Sequence, residues 1–145
     1  MRIASAEIGR KEAYFLLVDS IVPRPIAWVS SQSAEGVPNL APFSFFCGVT
    51  AQPPTLAISL ASRVDRGDQG ERAFRPKDTL ANIRARGEFI VHAVPQQLKA
   101  EVLRSAENYG PEVDEIDLLG FETTPGTWVD VPRIRELPIS MECRL

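Results

Sequence analysis

The chain has 145 residues, of which 44% are hydrophobic and 24% charged, with a formal net charge of −3. That length suits one domain able to bury a core without disulfide or metal staples, and the composition excludes a disordered chain. An acidic balance without clustered Lys and Arg argues against a nucleic-acid binder.

Residues 11–18 are expected to form a short helix presenting Tyr14, Phe15, Leu17 and Val18 to a core. The first twenty residues hold no apolar stretch of signal-peptide or membrane-spanning length, so no membrane partner is expected and a cytoplasmic, reducing setting is the default. Pro23 and Pro25 then stop any helix and force extended backbone, which sets up a strand over 26–31. Residues 33–36 (SAEG) read as a turn, and 37–40 return antiparallel. A further extended segment, 43–49, begins after Pro42, with Cys47 as a small buried side chain. Cys47 and Cys143 lie too far apart in sequence for a CxxC redox pair or a zinc site. Residues 55–60 (TLAISL) are expected as a central strand buried on both faces.

Residues 61–76 are polar and read as a mobile surface loop, in which Asp65, Asp68 and Glu71 largely neutralise Arg63, Arg66, Arg72 and Arg75. Asp78 or Thr79 is suited to cap a helix running to Arg86, and Gly87 supplies its left-handed stop. Residues 88–94 (EFIVHAV) carry the clearest strand pattern. An amphipathic helix is expected over 96–106, with Leu98, Val102 and Leu103 on one side, and a short helical piece over 113–120. Pro125, Pro132 and Pro138 then punctuate an irregular stretch before a strand over 139–145. Prolines falling between strands favour a β-rich barrel or sandwich with inserted helices over a βαβ architecture.

Several chemistries are absent. There is no G-x-G-x-x-G, no P-loop and no G-x-S-x-G elbow, and the single histidine leaves little for a Ser-His-Asp arrangement. That residue, His92, sits mid-strand and is expected to satisfy a local hydrogen bond. What remains is a set of binding groups. Lys77 precedes a helix whose first N–H groups are electropositive, and Thr79 adds a hydroxyl, a combination that suits a phosphate. The same spacing also suits a capped surface helix with a solvated lysine. Ser30, Ser31, Asn39 and Ser44 offer hydrogen bonds to the polar edge of a heterocycle, with Trp28, Phe43, Phe45 and Phe46 as apolar wall or simply as core.

Five blocks in order, PRPIAWVSS, GVPNLAPFSFF, PPTLAISL, KDTLANI and GEFIVHAV, resemble the flavin reductase-like, FMN-binding split-barrel family. The later SAENYGPEVDEIDLLGF and VPRIRELPISMECRL resemble the same family, so the likeness runs from about Tyr14 to the chain end. It implies a mainly β fold with inserted helices, a split Greek-key β-barrel of six strands, forming a homodimer with FMN near the interface. It also implies a single domain over 1–145 lacking the family's C-terminal closing strands, which leaves an unpaired edge at 139–145. Relatives commonly show Asn where this chain has His92.

Carried over by position, Ser30 and Ser31 with Asn39, Ala41, Pro42, Phe43, Ser44 and Phe45 would line the isoalloxazine and ribityl chain. Ser62 and Arg63, with Lys77, Asp78 and Thr79, would hold the phosphate end. The implied activity is an oxidoreductase passing electrons from NAD(P)H, a transient donor, through FMN to a small-molecule acceptor: a flavin, a metal complex or oxygen. A non-enzymatic FMN electron carrier and a flavin-free dimerisation or small-ligand module remain open alternatives.

Overall fold

A computed structural model describes residues 2–66 and 72–145. Its helices and strands, in chain order, are α1 (Arg10–Ser20), β1 (Ala27–Gln32), β2 (Pro38–Phe43), β3 (Phe46–Ala51), β4 (Pro54–Ile58), β5 (Arg63–Arg66), β6 (Arg72–Arg75), α2 (Asp78–Arg86), β7 (Glu88–Ala93), α3 (Lys99–Arg104), α4 (Glu115–Leu118), β8 (Thr123–Pro125), β9 (Pro132–Ile134) and β10 (Ser140–Arg144). The expected class, mainly β with inserted helices, is what these elements build. Among the described residues no helix is long and apolar enough to cross a membrane.

The centre is a four-stranded antiparallel sheet in the order β10–β7–β1–β2. Alternation along its strands gives two faces with different partners. On one, Ala27, Val29, Ala41, Phe43 and Val91 meet Ile83 of α2 and the inward residues of the β3–β4 ribbon, Phe46, Leu56 and Ile58. On the other, Trp28 and Leu40 meet Ile116 of α4, Ile134 of β9 and Leu137, with Val102 and Phe121 packed alongside. Trp28 is fully buried and ties β1 to the end of α3 by donating its indole N–H to Ser105 Oγ at 2.8 Å. Gly87 ends α2 at φ 72°, a left-handed conformation that costs glycine little.

Several expectations change against this frame. Residues 38–43 run as one strand through Pro42, so the extended segment expected from 43 starts instead at Phe46. The strand expected to be buried on both faces is β4, half of a two-stranded ribbon with β3. Leu56 and Ile58 point inward while Thr55, Ala57 and Ser59 are exposed. Cys47 pairs in register with Ala57 and is likewise exposed, not a core side chain. The helix α1 forms, but Tyr14, Phe15 and Leu17 are 51%, 48% and 51% exposed, so they do not feed a core. Its contacts with the rest include Tyr14, edge-on to Phe45 at 6.1 Å, Arg10, whose guanidinium lies 5.3 Å over the Phe74 ring, and Arg24, whose guanidinium donates to Val18 O and Ile21 O.

The stretch read as a loop over 61–76 contains the β5–β6 hairpin, in which Arg63 stands opposite Arg75. Asp68 and Glu71, expected to neutralise its arginines, lie outside the described residues. The helix expected over 96–106 divides into a 3₁₀ turn, Gln96–Leu98, and α3. Leu98 and Val102 pack inward, while Leu103 is exposed. The stretch punctuated by prolines closes as the β8–β9 hairpin. At the far side, β10 pairs with β7 from Ser140↔His92 to Arg144↔Glu88 and forms the sheet's edge. Between it and the β3–β4 ribbon runs a groove of about 600 Å³ whose walls include Leu56, Phe89, Met141 and Cys143.

Candidate functional site

β2 and the start of α2 converge on one cavity. Its walls are Asn39, Ala41 and Pro42 from β2, Arg63 from β5, Lys77 with Asp78 and Thr79 from the head of α2, and Glu115 from α4. The segment after α3, residues 105–109, closes the remaining side. Sequence fixes this meeting by register. Asn39 lies on the same sheet face as Ala41 and Phe43, the face that receives α2, so its side chain reaches the first turn of that helix. Asn39 Nδ2 donates to Thr79 Oγ1 at 3.0 Å, both side chains being buried. One strand pair along, Asn82 Nδ2 donates to Ser31 Oγ at 3.2 Å and repeats the link.

The head of α2 gathers groups whose chemistry suits an anion. The N-cap is Lys77 itself and not Asp78 or Thr79, and no side chain caps the helix. Lys77 O accepts from both Leu80 N and Ala81 N, at 2.9 and 3.0 Å, which leaves the N–H groups of Asp78 and Thr79 uncapped beside the cavity. Because Thr79 Oγ1 already accepts from Asn39, its own hydrogen is free to be donated elsewhere. The Lys77 ammonium stands 5.4 Å over the Phe43 ring, held by a cation–π contact instead of an ion pair among the described residues. Arg63 sits 3.8 Å from the Asp78 carboxylate and donates to Tyr109 O at 3.0 Å, which anchors the segment after α3.

The opposite wall carries Glu115, 7% exposed, whose Oε2 accepts from Leu40 N at 3.0 Å. Burial raises its pKa above the usual carboxylate value. The charges of Asp78 and Asp114 push the same way, and the hydrogen bonds from Leu40 N and from its own backbone N–H oppose them.

The cavity measures about 70 Å³, room for a group the size of phosphate and not for a three-ring heterocycle. A few residues further along the chain, Ser44 and Phe45 line a second groove of about 340 Å³ with Ile21, Pro23, Arg24, Phe46 and Cys47. Of the residues singled out in the sequence, seven therefore line this cavity: Asn39, Ala41, Pro42, Arg63, Lys77, Asp78 and Thr79. Ser44 and Phe45 lie apart on the apolar groove, with Phe43 buried beneath Lys77 between the two. Ser62 is exposed and lines neither space.

Ser30 and Ser31 line neither as well. Both are fully buried, and their hydroxyls are spent inside the fold. Ser30 Oγ donates to Pro132 O at 3.1 Å and meets His92 Nε2 at 3.1 Å, while Ser140 Oγ meets His92 Nδ1 at 2.9 Å. With the Ser30 hydrogen committed to Pro132, Nε2 carries the ring proton and Nδ1 accepts from Ser140. Burial, assisted by Arg133, lowers the His92 pKa to about 4, so this histidine is a neutral, hydrogen-bonded structural residue as expected from its place mid-strand.

The residues missed from sequence are Ser105, Ala106, Glu107, Asn108, Tyr109 and Glu115. Only the SAENYGPEVDE block marked them, and nothing in its spacing shows that it folds over β2.

Comparison with known proteins follows the same lines. Residues 19–145 match the family described as "Flavin reductase like domain". An uncharacterised protein of Halalkalibacterium halodurans is 38% identical over 145 residues, spanning all of this chain and 66% of that protein. Nitrilotriacetate monooxygenase component B from Bacillus cereus superposes with a TM-score of 0.88 at 36% identity, over 100% of this chain and 67% of that one. The 2-nitrobenzoate 2-nitroreductase of Pseudomonas fluorescens does so with 0.80 at 33% identity, over 99% and 64%. The chain thus spans about two thirds of the length of the proteins it matches. The neighbours share the flavin reductase split-barrel fold, the architecture expected here.

Proposed function

From its place in the flavin reductase-like domain family, to which this chain belongs, we propose that it holds FMN and serves an oxidoreductase that moves electrons from NAD(P)H to a small-molecule acceptor. The single observation that carries the reading is the convergence of Asn39, Thr79, Lys77 and Arg63 on one cavity of phosphate size at an uncapped helix start. In this reading Lys77, Arg63, the Thr79 hydroxyl and the Asp78 and Thr79 N–H groups hold the phosphate. Ala41 and Pro42 would line the ribityl chain, and Ser44 and Phe45 would line the ring. Ser30 and Ser31 act behind this surface, fixing β1 against β7 and α2.

Bound FMN supplies the redox chemistry, so the chain needs no acid–base pair of its own. The protein's work is to bind and orient. Phe45 and Pro23 give the ring an apolar floor, and the cation–π seat of Lys77 on Phe43 pre-positions the ammonium for the phosphate. Nitrilotriacetate monooxygenase component B and the 2-nitrobenzoate 2-nitroreductase are named for oxidation or reduction of small molecules, which favours an acceptor of that size. A homodimer belongs to the same proposal. Tyr14, Leu17 and Ile21, spaced i, i+3 and i+7 along one side of α1, are half exposed beside the Ser44–Phe45 groove, where a second copy would cover the ring.

Purified protein should be yellow or take up FMN at micromolar concentration, with the flavin absorption bands as readout. Replacing Lys77 with Ala should weaken FMN binding by about 1.5–3 kcal/mol, roughly 10- to 150-fold, for a lost charge-assisted hydrogen bond. A colourless protein that ignores FMN contradicts the proposal.

A further inference from the structure

We propose that occupation of the cavity by a phosphorylated ligand is coupled to uptake of one proton by Glu115, an inference that rests on the FMN reading above. The observation behind it is a charge conflict built into the walls. Lys77 and Arg63 bring positive charge, but Asp78, Glu107 and Glu115 line the same small space. Arg63 is shared with Asp78 at 3.8 Å, so the cations do not offset a dianion as well as the carboxylates. Protonation of one wall carboxylate relieves that conflict when a phosphate enters.

Glu115 is the group placed to do so. At 7% exposure it is the most buried carboxylate of the three. The groups that face it are Lys77 and Asp78 from α2, Arg63 from β5, Glu107 and Tyr109 from the segment after α3, and Asp114 on its own element; β2 offers only the Leu40 N–H. Asp78 is partnered by Arg63, the Glu107 carboxylate accepts from Tyr109 OH at 3.1 Å, and Asp114 caps α4 through Ile116 N and Asp117 N. Arg104 on α3 donates instead to Leu118 O at 3.5 Å. Glu115 has only neutral donors, Leu40 N on Oε2 and its own backbone N–H; burial, the largest effect, and the charge of Asp78 disfavour its charged form. A proton taken from solvent onto Oε1 leaves the Leu40 bond intact. It removes a repelling charge from the wall and leaves an O–H able to donate.

The test is calorimetric titration of FMN into the protein at about pH 7.5, above the second phosphate pKa of about 6 so that the ligand's own proton is not involved. Running it in two buffers of different ionisation enthalpy counts the protons exchanged. Uptake approaching one proton is expected in the wild type, with affinity falling up to about tenfold per pH unit on the alkaline side. Glu115→Gln keeps an acceptor for Leu40 N and should bind FMN with no uptake and a flat pH profile. An infrared carboxylic-acid C=O band that appears when FMN is added to the wild type reports the same event without any variant. FMN binding with no proton uptake in the wild type, with uptake unchanged in Glu115→Gln, or with no such infrared band, overturns this inference alone. Absence of FMN binding at every pH overturns the proposed function and this coupling together.

Discussion

Lys77 is held over the Phe43 ring, while the helix it heads leaves its first N–H groups uncapped. A lysine kept that way loses less freedom on meeting an anion than a solvated one, because part of its ordering cost is met in the fold. His92 shows the opposite use of a titratable side chain. Its folded pKa of about 4 lies below the ordinary 6.5, so the unfolded chain binds the extra proton across that window. Stability from this residue is therefore complete above about pH 6.5 and lost as pH falls towards 4, at up to about 1.4 kcal/mol per pH unit. Glu115, with its raised pKa, acts in the other direction, losing stability as pH rises through its window. Urea unfolding followed from pH 7 to 4 should show the decline, and His92→Asn should flatten it. An unchanged slope in that variant would remove His92 from the account.

Among the elements, β1 does the most to place the site. Its alternate residues address opposite faces, Val29 and Ser31 towards α2 and Trp28 and Ser30 towards α3, β9 and β7. Trp28 anchors the second face, edge-on to Phe121 at 5.4 Å and bonded to Ser105, so it also fixes the start of the segment that closes the cavity. Trp28→Ala should cost about 3–5 kcal/mol in chemical denaturation and loosen the 105–109 wall. A loss below 1 kcal/mol would mean the core does not depend on this side chain. The strand pattern of β1 and β7 and the Gly87 stop were legible because local sequence dictates them. β4 was misread because TLAISL was weighed by its apolar content, when the small residues Thr55, Ala57 and Ser59 mark an outward face. The hairpins β5–β6 and β8–β9 were missed for a different reason: charge and proline dominate their sequences, and pairing between such strands is decided by what they pack against.

At the scale of the molecule, the meeting of β2 with α2 depends on residues about forty positions apart, a distance over which sequence pattern carries no information. Resemblance to known proteins supplied it, and the Asn39–Thr79 bond gives its physical form. Glu115 and Tyr109 were missed even so, because they reach the cavity only through tertiary folding. Tyr14, Leu17 and Ile21 form an exposed apolar strip along α1. Sedimentation equilibrium with FMN present should return twice the mass of one chain, and a charge placed at Leu17 should lower it; a monomer at all concentrations would place the ring in a half-open groove and contradict the dimer. The central claim, that an anion cavity grips the phosphate while the ring lies outside it, is tested most directly by comparing the affinities of FMN and riboflavin. The account predicts FMN tighter by roughly 10- to 150-fold in the wild type, with most of that gap lost in Lys77→Ala. Equal affinity for the two flavins in the wild type would contradict it.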